Sequence, residues 1–200
     1  HVGNKLGSAF TQTRYVINGG ITGSRLIQDI ATTSTQIRTR WNQHEAATED
    51  NTNNDYHLFY DVIVVFVNGP CINDVTTEVT SSSTDAEIGA LSQRLASDIG
   101  RMVGESAYND TDLNNLGGAN DTIMVGLCPN TVGDAATNAK VQLCLDKINT
   151  LLREQAAVAE LLFVDCSDMA GYLDDGTHLT SAGDTIVANR VGDMYEAGDV

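Results

Sequence analysis

The sequence predicts a three-layer α/β/α fold, in which a parallel β-sheet lies between two layers of helices. Residues 61–67 form a continuous apolar run rich in β-branched side chains, which is typical of a strand covered on both faces. Shorter apolar runs at residues 14–18, 122–127 and 161–165 alternate with segments of helical periodicity. This alternation implies parallel strands with helices on both faces. The length suits one domain over residues 1–200.

Four amphipathic segments predict the helices of this fold. The first follows a glycine-rich turn at residues 19–23, and the second opens at a capping box that runs from Thr84 to Glu87. The third covers residues 134–158, and the last lies near 181–196. The expected buried side chains are Leu26, Ile30, Ile37 and Trp41 in the first helix, Ile88, Leu91, Leu95, Ile99, Met102 and Val103 in the second, and Val141, Leu145, Ile148 and Leu152 in the third.

The charge of the chain excludes some classes of partner. There are 27 acidic residues against 11 basic ones, which gives a net charge of −16. Such a chain repels nucleic acid and anionic membranes, and no apolar run approaches the roughly 18 residues that a membrane span needs. The many Asp and few Lys resemble the composition of proteins from hypersaline habitats, with an ordinary acidic secreted or cytosolic domain as the alternative. We expect an extracellular, virion or surface-associated protein of a high-salt habitat.

The cysteines and three of the histidines do not predict a metal site. Cys71, Cys128, Cys144 and Cys166 lack the close spacing of zinc ligands. Cys128 and Cys144 bracket a loop and part of a helix, so either a disulfide between them or buried free thiols fits the sequence. His44 and His57 flank a polar, acidic stretch that is more typical of a solvated loop. The sequence begins at His1 rather than Met and shows no charged-then-apolar leader, so we expect a processed or excised chain.

The motif around which the prediction of function is built is Asp-Gly-Thr-His at residues 175–178. It follows the last predicted strand and precedes the last helix. An Asp three residues before a His can accept one imidazole N–H and leave the other nitrogen free as a base. Functional groups of parallel sheets collect beyond the carboxyl ends of the strands. Loops at residues 18–24, 68–74 and 166–178 are expected at those ends.

Three stretches resemble the sequence blocks of the SGNH (GDSL-type) serine hydrolases, a superfamily of esterases, lipases and carbohydrate deacetylases. Residues 18–23, Asn-Gly-Gly-Ile-Thr-Gly, resemble the second block, and residues 72–75, Ile-Asn-Asp-Val, resemble the third. Residues 175–183, Asp-Gly-Thr-His-Leu-Thr-Ser-Ala-Gly, resemble the last block and are the most specific match. The third block departs from the family pattern because it has Cys71 where the family has Gly.

The resemblance implies a flavodoxin-like sheet and a serine esterase without a cofactor. His178 would be the general base, Asp175 would orient it, and Gly23 and Asn73 would bind the oxyanion. The expected substrates are O-acetyl or short acyl esters of a carbohydrate or small molecule. Structurally, Gly23 also fits a helix-entry glycine and Asn73 also fits a turn.

The family's Gly-Asp-Ser block, which carries the nucleophile, does not occur in the sequence. Ser8 is only a weak candidate, because no apolar strand leads into it. We therefore expect that upstream sequence or another chain supplies both the serine and the first strand, which would lie between the strands at 14–18 and 61–67. The alternative is a non-catalytic carbohydrate-binding or structural module of a virion or surface appendage.

Overall fold

The computed structural model describes residues 25–26, 63–108 and 122–198. Within them, strands and helices alternate as the sequence predicts for an α/β protein. The elements are, in chain order, β1 (Ile63–Val65), α1 (Asn68–Glu78), α2 (Asp85–Tyr108), β2 (Thr122–Val125), α3 (Ala135–Val158), β3 (Leu162–Val164), a 3₁₀ helix (Met169–Tyr172) and α4 (Ser181–Gly198).

The three described strands form a parallel sheet in the order β1-β2-β3. Val65 of β1 is in register with Met124 of β2, and Val125 of β2 is in register with Val164 of β3. Because all three strands are parallel, their carboxyl ends lie along one edge of the sheet. The predicted parallel α/β class is therefore confirmed.

The two faces of the sheet contribute to two separate apolar clusters. Met124 and Val65 pack in a cluster with side chains of α1, α2 and α3. Ile123 and Val125, whose side chains point the other way along β2, pack in a second cluster with Val187 and other residues of α4. Helices therefore cover both faces, which explains why the strands are apolar throughout.

The helical periodicity correctly identified the buried faces of the helices that the structure describes. The buried members are Leu26, Ile88, Leu95, Ile99, Val141, Leu145, Ile148 and Leu152, and Leu91 is partly buried. The capping box is also confirmed, since the Thr84 N–H donates to Glu87 Oε2 at 2.8 Å and the Glu87 N–H donates to Thr84 Oγ1 at 3.3 Å. Asp134 caps α3 by accepting the N–H groups of Ala136 and Thr137.

The predicted loop at residues 68–74 is wrong, because the structure has helix α1 there. Its first bond runs from the Cys71 N–H to the Val67 carbonyl at 3.0 Å. Gly69 and Pro70 resemble a turn in sequence, but Pro70 lies in the first turn of the helix. A missing N–H costs little at that position, since the first four N–H groups of a helix have no intrahelical partner.

Of the two alternatives that the sequence left open for Cys128 and Cys144, the structure has buried free thiols rather than a disulfide. All four cysteines are free thiols and are buried. Burial raises the pKa of the Cys71 thiol well above its ordinary value and also raises the pKa of Cys144. A hydrogen bond with Cys166, together with burial, raises the pKa of Cys128. These thiols behave as small apolar side chains of the core.

Several predictions concern positions outside the described residues. They are the strand at 14–18, the turn at 19–23 with Gly23, the serine candidate Ser8, the polar stretch with His44 and His57, and the helix after residue 26. Among the helices that are described, none is both long and apolar enough to cross a membrane.

Candidate active site

The Asp-Gly-Thr-His motif lies at the tip of a closed loop between β3 and α4, which we call the histidine loop (residues 172–180). The Asp174 N–H donates to the His178 carbonyl at 2.8 Å, and the Thr180 N–H donates to the Tyr172 carbonyl at 2.8 Å. These bonds close the loop on itself. The backbone hydrogen bonds therefore hold the tip of the loop independently of its side chains.

Two glycines fit closely around this loop, Gly176 within the motif and Gly183 in the first turn of α4. Gly176 has a φ of +84°, and a Cβ atom there would lie 2.6 Å from Thr131 Oγ1. L side chains rarely adopt such a φ. At the start of α4, a Cβ on Gly183 would lie 2.9 Å from the Tyr172 carbonyl oxygen. A larger residue at either position would force the histidine loop to shift away from the atoms that it contacts.

Asp175 and His178 form a hydrogen-bonded pair at the tip. Asp175 Oδ2 lies 2.7 Å from His178 Nδ1. The other carboxylate oxygen accepts the backbone N–H groups of His178 at 2.8 Å and Thr177 at 3.0 Å. These hydrogen bonds, the backbone N–H of His178 first among them, lower the pKa of Asp175 far below its ordinary value. The carboxylate is therefore ionised and holds the ring through Nδ1.

The pair is open to solvent. The side chain of His178 is 73% exposed and that of Asp175 is 58% exposed. When the Nδ1–H group donates a hydrogen bond to the carboxylate, Nε2 carries the lone pair. Nε2 can then take a proton from a bound group.

The histidine loop is fixed against the segment that follows β2, which we call the β2 loop (residues 126–134). The Thr131 N–H donates to the Gly176 carbonyl at 2.7 Å. The Thr177 hydroxyl donates to Asn130 Oδ1 at 2.8 Å. Asn130 is buried. These contacts join the carboxyl ends of two neighbouring strands.

Asn130 is not among the site residues that the sequence pattern predicts. Functional loops were predicted after three of the four expected strands, and the loop after residues 122–127 was not one of them. The same edge rule, applied to that strand, would have included the β2 loop. Nothing in the residue types of Cys-Pro-Asn-Thr alone distinguishes Asn130 from a turn-forming Asn.

The base of the same connection is held by an arginine of α4. Arg190 Nη1 and Nη2 contact the two carboxylate oxygens of Asp168 at 2.7 and 2.8 Å, and Nη1 also donates to the Asp165 carbonyl at 2.7 Å. The hydrogen bond from Arg190 lowers the pKa of Asp168. Such two-point pairing fixes direction as well as distance.

The predicted oxyanion residue Asn73 lies on the second turn of α1 rather than on a loop. The preceding asparagine of the same helix, Asn68, is buried and accepts the Cys128 N–H at 2.8 Å, so it links α1 to the β2 loop. The structure thus brings Asp175 and His178 together and places Asn73 on a separate element. Gly23 and Ser8 lie outside the described residues.

Asp74, the residue after Asn73, is fully buried as an ion pair. Its Oδ1 lies 2.6 Å from Arg25 Nε, and Arg25 also reaches Glu78 at 3.2 Å. The hydrogen bond to Asp74 is the main cause that raises the pKa of Arg25. The second member of the Asn-Asp pair therefore attaches α1 to Arg25, 49 positions earlier in the chain.

No cluster of three or more His, Cys, Asp or Glu side chains within the described ranges is arranged to hold a metal ion. An open depression of about 420 Å³ lies between the end of α1 and the start of α2, lined by residues that include Glu78, Ser83 and Leu91. The histidine loop does not contribute to it.

Comparisons of the chain with protein-family models, with curated proteins and with solved structures find no match.

Proposed function

We propose that this protein is a serine ester hydrolase in which His178 is the general base and Asp175 orients it. The observation that carries the proposal is the 2.7 Å contact between Asp175 Oδ2 and His178 Nδ1 at the carboxyl edge of a parallel sheet. A serine beside Nε2 would lose its proton to the ring as its oxygen attacks an ester carbonyl, and the ring would return that proton to the leaving alcohol as the ester C–O bond breaks. Water would then release the acyl group from the serine. The imidazolium would then be stabilised by the ionised Asp175.

The arrangement of Asp175 suits this task better than it suits a surface ion pair. Its two oxygens accept three hydrogen bonds, two of them from backbone N–H groups. The carboxylate is thus held in place by the chain itself and cannot rotate away from the ring without losing these bonds.

The oxyanion donors, the nucleophile, the rest of the sheet and the substrate class are proposed from the resemblance to SGNH hydrolases. Gly23 would offer a backbone N–H and Asn73 a side-chain amide to the oxyanion, where one such donor contributes about 3–4 kcal/mol. The nucleophilic serine would come from outside the described residues, with Ser8 as a weak candidate. A flavodoxin-like sheet would have further strands beyond β1. The preferred substrates would be short acyl esters, including O-acetyl groups of carbohydrates.

A second function is favoured by the exposure of the pair. With side chains 58% and 73% exposed, Asp175 and His178 are not enclosed by the described part of the chain. Catalytic groups usually act in a concave, partly dehydrated site. An open polar tip also fits a module that binds carbohydrate without hydrolysing it, and this is the alternative.

A fluorophosphonate probe separates the two functions, because it reacts with a serine only when a base activates it. We expect the complete protein, together with the upstream segment or second chain that supplies the serine, to gain one probe adduct by intact mass, and we expect His178→Ala to lose labelling. His44→Ala, which removes another imidazole of the same chain, is the matched control and should label as the wild type does. A folded wild-type protein that stays unlabelled would favour the binding module, and equal labelling of His178→Ala would refute the role of His178.

A further inference from the structure

Asn130 uses only one end of its buried carboxamide. Its Oδ1 accepts the Thr177 hydroxyl at 2.8 Å and the Val132 N–H at 3.4 Å. Its Nδ2 is buried and has no hydrogen-bond partner among the residues that the structure describes. Burying an amide donor without a partner destabilises the folded state, because the donor loses its hydrogen bonds to water.

Asn149 shows what a buried asparagine with a purely structural role looks like in the same protein. Its Oδ1 accepts the Leu127 N–H at 2.7 Å, and its Nδ2 donates to the Leu127 carbonyl at 2.9 Å. Both ends of that carboxamide are satisfied by one backbone residue. Only one end of the Asn130 carboxamide is paired in this way. Folding stability alone therefore does not explain why an asparagine occupies this position.

The bond that Asn130 does make is directed at the centre of the motif. Thr177 lies between Gly176 and His178, and its backbone N–H binds the Asp175 carboxylate. Fixing the Thr177 hydroxyl therefore fixes the residue that joins the two members of the pair. Asn130 itself is 1% exposed and lies in the β2 loop, so the surrounding residues restrict the movement of its side chain.

We propose that Asn130 is a positioning residue that sets the orientation of His178 through its hydrogen bond to Thr177. This inference rests on the proposed function for its catalytic consequence, since it assigns how the general base is held. Asn130 acts through Thr177 and does not touch the imidazole. A displacement of about 1 Å at a catalytic group can reduce a rate by up to about a hundredfold.

The test is a double-mutant cycle on the shared hydrogen bond, with hydrolysis of p-nitrophenyl acetate and the tautomer of His178 as readouts. Thr177→Val removes the hydroxyl with little change of shape, whereas Thr177→Ser retains it. We expect Thr177→Val and Asn130→Ala each to lower kcat by about tenfold with little change in KM, and the double variant to be no slower than either single variant. Thr177→Ser should stay near the wild type.

The tautomer readout keeps this inference separate from the proposed function. Nitrogen-15 NMR should report a proton on Nδ1 in the wild type and in Thr177→Ser, and a mixture of tautomers in Thr177→Val. Thr150→Val, which removes an exposed hydroxyl that bonds to the Asp146 carbonyl on α3, is the control. If the complete wild-type protein does not hydrolyse the ester, the proposed function is refuted, and the tautomer of His178 still tests the role of Asn130.

The role of Asn130 would be overturned if both Thr177→Val and Asn130→Ala keep the wild-type tautomer. It would also be overturned if the rate losses of the two single variants multiply in the double variant.

Discussion

At the scale of single residues, the buried carboxylate of Asp74 is the charge whose transfer out of water is expected to cost the most folding free energy in the described part of the chain. It is fully buried, and its partner Arg25 is 19% exposed. Removing a charge from water costs several kcal/mol unless a partner and further hydrogen bonds offset the loss. The guanidinium of Arg25 thus attaches α1 to the chain segment that follows the predicted glycine turn.

We predict that Arg25→Met lowers the free energy of unfolding by roughly 3–5 kcal/mol, because it removes a guanidinium that pairs with the fully buried Asp74 carboxylate at 2.6 Å. Urea denaturation measures the change. Glu78→Gln is the matched control, since it removes only the exposed carboxylate that Arg25 reaches at 3.2 Å, and it should cost less than about 1 kcal/mol. A loss below about 1 kcal/mol in Arg25→Met would contradict this account of the pair.

Residue patterns identified only part of the candidate site. The spacing of Asp175 and His178 was sufficient, because a carboxylate three residues before an imidazole can reach it within one tight loop, and the structure has that contact at 2.7 Å. Asn130 could not be found by spacing, since its partner Thr177 lies 47 positions along the chain. Contacts of that kind depend on strand order, which no local pattern contains.

At the scale of elements, the apolar runs and helical periodicities were sufficient for the order of strands and helices. They failed at α1, where Gly69, Pro70 and the Asn73-Asp74 pair are all typical of turns. Tertiary packing decided otherwise, because Cys71, Ile72 and Val75 are buried in the cluster that covers one face of the sheet. The burial of these three side chains offsets weak helix propensity.

The attachment of α4 to the end of β3 predicts a dependence of stability on pH. The pKa of Asp168 is lowered in the folded protein, chiefly by its hydrogen bond from Arg190. A lowered pKa means that the folded state favours the ionised form. The contribution is therefore complete above the unfolded pKa of about 3.9 and is lost as the pH falls below it towards the folded value.

We predict that Arg190→Gln is less stable than the wild type at pH 7 by about 1 kcal/mol, since Asp168 is 65% exposed and solvent screens the pair. The difference should shrink as the pH falls below about 4, where Asp168 becomes protonated. Thermal unfolding between pH 3 and 7 measures it. Arg94→Gln, at an exposed position on α2, is the control. A difference that is constant over this range would show that the ion pair does not contribute.

At the scale of the whole molecule, the net charge of −16 is the dominant electrostatic feature. Like charges spread over one small domain repel one another and destabilise the folded state. The Debye length falls from about 10 Å at 0.1 M salt to about 3 Å at 1 M. Added salt should therefore remove most of the repulsion between surface carboxylates.

We predict that the midpoint of thermal unfolding rises steadily between 0.1 and 1 M NaCl, as the high-salt interpretation of the composition requires. Differential scanning calorimetry measures it. Sucrose is the control, because it is excluded from protein surfaces but does not screen charge. The rise in midpoint that a fixed concentration of sucrose causes should be the same at low and at high NaCl. A midpoint that stays level or falls above 0.2 M NaCl would favour an ordinary acidic domain.

The central claim is that Asp175 makes His178 a base by holding its Nδ1 proton, and kinetics of Asp175→Asn test it most directly. The measurement is kcat/KM for p-nitrophenyl acetate in the wild type, in Asp175→Asn and in the neighbouring control Asp174→Asn, whose side chain makes no hydrogen bond to His178 among the described residues. We predict a loss on the order of 10²–10⁴-fold in Asp175→Asn, because an amide there stabilises the wrong tautomer, and a value near that of the wild type in Asp174→Asn. Equal activity of Asp175→Asn and the wild type would contradict the claim.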